Sequence, residues 1–189
     1  MLNNALQFTG EILDQYLKNR FGADESKVLL NTLIESNGSV PAENQNKVVI
    51  SLINIEKETH KQLYGRNKKL ENGNYANVSP FERYNIDLLI SSHFDDYIET
   101  LKFLNGAMLF FQVNNCIHSS SFSTIPVGVK KLEFDLEQIN YVQMQGLWTS
   151  MGAKYVPSVI YKMRLLTVQG HEVRAFVPAI SQISNTVTV

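Results

Sequence analysis

The chain has 189 residues, 44% of them hydrophobic and 19% charged, enough for one substantial core in one domain. Its 17 Lys and Arg against 18 Asp and Glu leave a net charge of −1, which argues against non-specific binding to nucleic acid or an anionic membrane. A single cysteine excludes an intrachain disulfide and a cysteine-based zinc cage.

Leu2, Ala5, Leu6, Thr9, Ile12, Leu13, Tyr16 and Leu17 recur at helical spacing, which predicts an amphipathic helix over 2–20 that stops at Gly22. The same stretch has no basic region, continuous apolar core or small-residue cleavage site, so no signal peptide is expected. No apolar run reaches the roughly 18 to 20 residues that span a bilayer, so direct membrane insertion is not expected and the chain reads as cytoplasmic. Residues 27–35 read as a strand and 36–46 as a loop. KVVISLINI at 47–55 is the clearest buried strand, apolar on both faces and therefore central.

A polar segment follows at 56–80 and is expected to protrude as a loop or arm. Its one-signed middle, Lys61, Arg66, Lys68 and Lys69, is the first candidate docking surface. Residues 81–92 return to strand. Asp96 is expected to cap a second helix with Glu99 in the reciprocal capping-box position, and Tyr97, Leu101, Leu104, Met108 and Phe111 as its buried stripe. Residues 116–129 read as a Ser-rich loop, 131–134 as a short strand, and Asp135 as the cap of a third helix running to about Trp148. Gly152 stops that helix, and residues 155–157 turn the chain into a strand over 156–168. Val159, Tyr161, Met163 and Leu165 share one face of that strand; Lys162 and Arg164 lie between Ile160 and Leu166 on the other. Gln169 and Gly170 form a plausible hairpin turn into 172–177, which carries Arg174. The charge-free tail 178–189 reads as extended, either adding a strand to another sheet or staying unstructured. The domain is thus 1–177, of α+β class: a mixed, mostly antiparallel sheet with two to three helices packed on it.

Chemistry is hard to find. There is no phosphate-binding glycine motif, no G-x-S-x-G elbow and no H-E-x-x-H pair. Cys116 and His118 could offer two metal ligands without a third, Asp95-Asp96 is better read as helix capping, and Trp148 with Tyr155 as core packing. Neither a catalytic residue nor a cofactor is expected, although a small enzyme without recognisable motifs stays open.

The stretch L147-W-x-S-x-G-x-x-Y-x-P-S-x-x-Y-x-x-R resembles the C-terminal signature of the tail-terminator (cap) family of contractile injection systems, the phage-tail-like particles of antifeeding-prophage and Photorhabdus-virulence-cassette type. Trp148, Gly152, Tyr155, Pro157, Ser158 and Tyr161 carry the match, supported by Arg66-Asn67 and Asn105-Gly106. The resemblance implies a phage tail-terminator-like fold and a structural role. The implied assembly is a homohexameric ring on the baseplate-distal end of the inner tube and sheath, which ends their polymerisation and couples them in a particle that can be released from the cell. Partners would be the chain itself, the tube protein and the sheath protein. A tail-completion or adaptor protein of a contractile phage, or an adaptor anchoring the particle to the cell envelope, is the alternative of the same kind.

Overall fold

The computed structural model describes residues 2–58, 67–69, 75–78, 82–120, 122, 124–167 and 173–177; at 67–69, 75–78, 82 and 173–177 it describes backbone alone. In chain order the elements are α1 (Leu2–Phe21), β1 (Val28–Leu30), β2 (Lys47–Lys57), β3 (Asn67–Lys69), β4 (Tyr75–Val78), β5 (Glu82–His93), α2 (Tyr97–Val113), β6 (Cys116–His118), β7 (Val129–Glu137), α3 (Tyr141–Met151), β8 (Ser158–Thr167) and β9 (Val173–Val177). A six-stranded sheet has the order β1-β2-β5-β8-β7-β6. Among the described residues only β1 and β2 pair in parallel; the remaining ladders of this sheet are antiparallel. A second sheet has the order β3-β4-β9. The α+β class with a mixed, mostly antiparallel sheet and three helices is therefore the one expected.

Helices α1 and α2 bury one sheet face. Ala5, Leu13 and Leu17 of α1 and Phe103, Ala107 and Phe111 of α2 meet Val48, Ile50, Ile86, Leu88, Ile90, Tyr161, Met163 and Leu165. Burying each such large side chain contributes about 1.5–3 kcal/mol. Its aromatic rings form two groups: Phe94 stacks on Phe103 at 4.4 Å, and Phe111 lies 4.4 Å from Tyr161 and 4.9 Å from Phe134. A Cβ at Gly106 would come within 2.8 Å of Leu17 Cδ2, so the missing side chain is what lets α2 approach α1.

Asp14 ties α1 to the sheet. Its Oδ1 accepts from the backbone N–H groups of Lys27 (2.6 Å) and Val28 (3.0 Å) and from the Ser26 hydroxyl (3.1 Å), and Lys18 Nζ lies 2.9 Å from Oδ2. Burial pushes this carboxyl up, but the bonds from Lys18, Lys27, Val28 and Ser26 outweigh it and hold it below its ordinary value of 3.8. A folded-state value below the unfolded one means stability that is present above pH 3.8 and lost as pH falls through the folded value. We expect Asp14→Ala to lose about 2 kcal/mol at pH 7. In urea titrations the gap between Asp14→Ala and the parent should close on acidification below pH 3.8; a gap independent of pH would refute the assignment.

Several sequence expectations need correction. The strand expected over 27–35 ends at Leu30, because Asn44 receives the Asn31 amide (2.9 Å) and donates to Thr32 O (2.9 Å), pulling the chain off the ladder. In α2 the buried stripe is Thr100, Phe103, Leu104, Ala107, Phe110 and Phe111, whereas Tyr97 and Leu101 are exposed. Asp96 does cap α2, accepting from Ile98 N at 2.8 Å, but Glu99 turns away to Lys102 at 2.9 Å rather than closing a capping box. Asp135 caps nothing: it lies inside β7, and α3 begins later, at an Asn140–Gln143 capping box with both bonds at 2.9 Å. Within the segment read as a loop at 116–129, Cys116–His118 forms the edge strand β6.

Within the expected arm at 56–80 the structure describes the end of β2 and the antiparallel pair β3–β4. Strand β9 pairs with β4, from Val78↔Val173 to Tyr75↔Val177, and not back onto β8 as a hairpin would require. The turn at Gln169-Gly170 and the tail 178–189 lie outside the described residues. Segments 75–93 and 158–177 thus pair with each other twice, as β5–β8 and as β4–β9.

Candidate interaction surface

Among the described residues, the second sheet face is covered only at one end. Helix α3 presents Trp148 as its buried residue, packed with Leu33, Val49, Leu89 and Ile160. The helix ends at Gly152, whose φ of 67° suits a residue without a side chain. Tyr155 then returns its ring edge-on to Trp148 at 5.4 Å while staying exposed. Tyr161 is buried on the opposite face, under α2. The corner residues Trp148, Gly152, Tyr155 and Pro157 therefore turn the chain from α3 into β8.

Beyond α3 no described element packs on this face, and it is charged. Strand pairing sets it out in rows: Asp87, Lys162 and Asp135 in one, Asn85, Arg164 and Glu133 in the next. Lys162 Nζ lies 3.3 Å from Glu137 Oε2, Arg164 Nη1 is 2.7 Å from Asp135 Oδ2, and Lys131 Nζ is 2.6 Å from Glu133 Oε1. The Lys131 hydrogen bond holds the Glu133 carboxyl below its ordinary value against burial, and the charges of Lys131, Arg164 and Arg83 add to it. Such exposed pairs are worth about 0–1 kcal/mol each for stability, so this array is better suited to recognition than to holding the fold. Among the described residues the buried acceptors Asn85 Oδ1 and Asp87 Oδ1 have no hydrogen-bond partner.

The structure thus brings Lys162 and Arg164 together on one face, both already paired with acids of β7. It places Lys68 and Lys69 in strand β3 and Arg174 in strand β9, by backbone alone; Lys61 and Arg66 lie outside the described residues. The β7 acids Glu133, Asp135 and Glu137 were missed because Asp135 was read as a helix cap. The signal was present: Leu132, Phe134 and Leu136 alternate with Lys131, Glu133, Asp135 and Glu137, the period of a half-buried strand.

Two concavities flank this face. One of about 390 Å³ between α3 and the sheet is lined chiefly by Leu89, Leu136, Met144, Leu147, Trp148 and Ile160. The other, about 410 Å³, has His93, Asp95, Gln45 and Asn44 on its wall. Burial pushes the His93 imidazole down, and its Nε2 lies 2.8 Å from the Ser91 hydroxyl. Cys116 Sγ sits 3.1 Å from His118 Nε2, but among the described residues no group of three His, Cys, Asp or Glu side chains could hold a metal ion. Among the same residues no helix is long and apolar enough to cross a membrane.

The family model described as Pvc16 N-terminal domain matches residues 9–182. No curated protein matches the chain. Among solved structures it is similar to the sheath/tube terminator of the PVC extracellular contractile injection system in its extended state, with a TM-score of 0.66, 13% identity, and 100% of this chain aligned to 64% of that one. It is also similar to the cap of the anti-feeding prophage, a tube-terminating cap, with a TM-score of 0.61, 12% identity, and 98% of this chain aligned to 60% of that one. At such identities the likeness is one of fold, and the chain spans somewhat under two thirds of the length of these structures.

Proposed function

Because the chain belongs to the Pvc16 N-terminal domain family, we propose that it caps the tube and sheath of a contractile injection system. The observation that carries this reading is the fold match over 100% of the chain to a sheath/tube terminator. The mechanism is steric and electrostatic rather than catalytic. Copies of the chain close into a ring, a homohexamer on this reading, by heterologous contacts. One face of the ring replaces the next layer of the inner tube, the rim meets the last layer of sheath, and the opposite face offers no further site, so both polymers stop together. Assembly takes place in the cytoplasm. Lys162 and Arg164 on the open sheet face are the proposed contacts to tube or sheath, and Lys61, Arg66, Lys68, Lys69 and Arg174 those of the arm. The ion pairs of β7 and β8 hold Lys162 and Arg164 in fixed positions before docking, which lowers the entropy lost on binding.

Electron microscopy of particles from a strain lacking this gene tests the reading. Tubes and sheaths of uncontrolled length, restored to uniform length by the complete gene, are expected. Sheathed particles of normal length without the gene would overturn it.

A further inference from the structure

Helix α2 has a second apolar side. Its buried side, Phe103, Ala107, Phe110 and Phe111, packs on α1 and the sheet. Its outer side carries Tyr97 (65% exposed), Ile98 (73% exposed) and the exposed Leu101, followed a turn at a time by Asn105 and Leu109. The only charged residues of α2, Glu99 and Lys102, pair with each other at 2.9 Å, so the rest of this side is neutral. A helix that is apolar all round is normally covered all round, and an exposed apolar patch of this kind marks a contact with another molecule.

Helix α3, on the opposite face of the sheet, has a surface of complementary shape. Residues 141–151 contain no charge. The outer side of α3 presents Tyr141 (92% exposed) and Val142 (77% exposed), then Gly146 and the exposed Thr149. Glycine is a poor residue for a helix interior, so each one there needs a reason. At Gly106 the reason lies within the chain, because a Cβ would meet Leu17 and Phe21 at 2.8 Å; at Gly146 a Cβ would meet nothing within 4 Å. No contact within the chain therefore asks for glycine at 146. It leaves a notch between Val142 and Thr149, one turn to either side, into which a helix of another molecule can pack closely.

The chain itself supplies the partner. The two surfaces lie on opposite faces of one sheet, so they cannot meet within a copy. Both are neutral and rich in apolar side chains, the composition of an interface core, and neither selects a charged partner. At these exposures Tyr97, Ile98 and Leu101 on one surface, and Tyr141 and Val142 on the other, each leave roughly 400 Å² open, about half of what each partner buries in a standard interface. Neutral exposed neighbours, Asn105 and Gln112 on α2 and Gln145 and Thr149 on α3, extend the contact. Two copies meeting through α2 alone would close as a pair and leave the notch at Gly146 empty.

We infer that the outer side of α2 of one copy packs across the notch at Gly146 on α3 of the next copy, and that this helix-on-helix contact is a ring contact. The inference rests on the proposed ring and names its contact. Burial of Ile98 and Leu101 against Val142 supplies the attraction, and the missing side chain at Gly146 sets how closely the helices approach. Two different surfaces joined head to tail make a heterologous contact, the kind that closes into a ring when its rotation permits.

Gly146→Ala in the full chain separates this contact from folding. The thermal midpoint of the dissociated chain should rise by roughly 2–4 °C, because alanine is the better helix former, while sedimentation should show association weakened about tenfold. Ile98→Glu and Val142→Glu should each weaken association at least tenfold with the midpoint unchanged, since both positions are exposed. In a chain carrying Cys116→Ser, a short bifunctional maleimide should link Ile98→Cys to Val142→Cys when the two variants are mixed, and neither variant to itself. Association indifferent to these substitutions, or linking of Ile98→Cys to itself, overturns the inference and leaves capping intact. A parent chain that stays monomeric also overturns it, and particle length in the deletion strain then judges capping separately.

Discussion

Phe111→Ala should lose about 3–5 kcal/mol, the largest single effect expected in the chain. Phe111 is 1% exposed, and its ring lies 4.4 Å from Tyr161, 4.9 Å from Phe134 and 5.1 Å from Phe110. Truncation removes the apolar area that docks α2 on β7 and β8 and leaves a cavity enclosed by aromatic rings, which cannot collapse into it. Domains of this kind are stable by about 5–15 kcal/mol, so the variant keeps only part of its margin. Urea denaturation should show a lower midpoint with an unchanged slope. Phe111→Leu should recover more than half of the loss. An alanine variant within about 1 kcal/mol of the parent would mean that α2 does not dock through this ring.

Trp148→Ala is expected to cost about 3 kcal/mol, with a different signature. Trp148 is 6% exposed and is the buried residue of α3, so its ring is the centre of the contact that holds α3 to the sheet, with Met144, Leu147 and Met151 partly buried around it and Tyr155 against its edge. Its loss should release α3 while α1 and α2 stay docked on the other face, because the two apolar clusters share no buried residue. Amide exchange should accelerate in 141–151 and stay unchanged in α1. Uniform acceleration across the chain would contradict the two-cluster account. Trp148→Phe should restore most of the protection.

These two rings mark opposite cases of legibility. Trp148 was readable as a packing residue because a lone Trp beside a glycine stop and a Tyr-x-Pro turn has few other uses. Phe111 belongs to the stripe expected from sequence, but that stripe lies about a quarter of a turn from the buried one. Helix α2 is apolar nearly all round, from Phe103-Leu104 to Leu109-Phe110-Phe111, so its own pattern does not choose a buried side. The choice is made by α1, which needs Gly106 at the contact with Leu17, and by Tyr161 and Phe134 of the sheet beneath Phe111. Strand β7 shows the same ambiguity. Residues 131–137 satisfy both a helix cap at Asp135 and a strand period, and the pairing with β8, where Asp135 meets Arg164 at 2.7 Å, selects the strand.

The candidate surface divides similarly. Lys162 and Arg164 were visible because they interrupt an apolar alternation in β8, and their shared face follows from strand geometry alone. Their acid partners were not visible, because those partners come from a strand some 27 residues away, by Lys162↔Asp135, and the pairing is a matter of register. The short reach of β1 along β2 was likewise hidden. In sequence 47–55 reads as a strand buried on both faces, and nothing local says that β1 stops after Leu30.

What the amino-acid order settles by itself is therefore local and periodic: a helix expected over 2–20, strands expected over 47–55 and 81–92, the glycine stop at 152, the two faces of β8, and the stretch that carries the family resemblance. Those features depend on side-chain spacing within one element. Which face of α2 is buried, where β7 ends, which acids meet Lys162 and Arg164, and how far β1 pairs with β2 were decided only in three dimensions. Each depends on contacts between segments far apart in the chain, where several local patterns are equally good and packing selects among them.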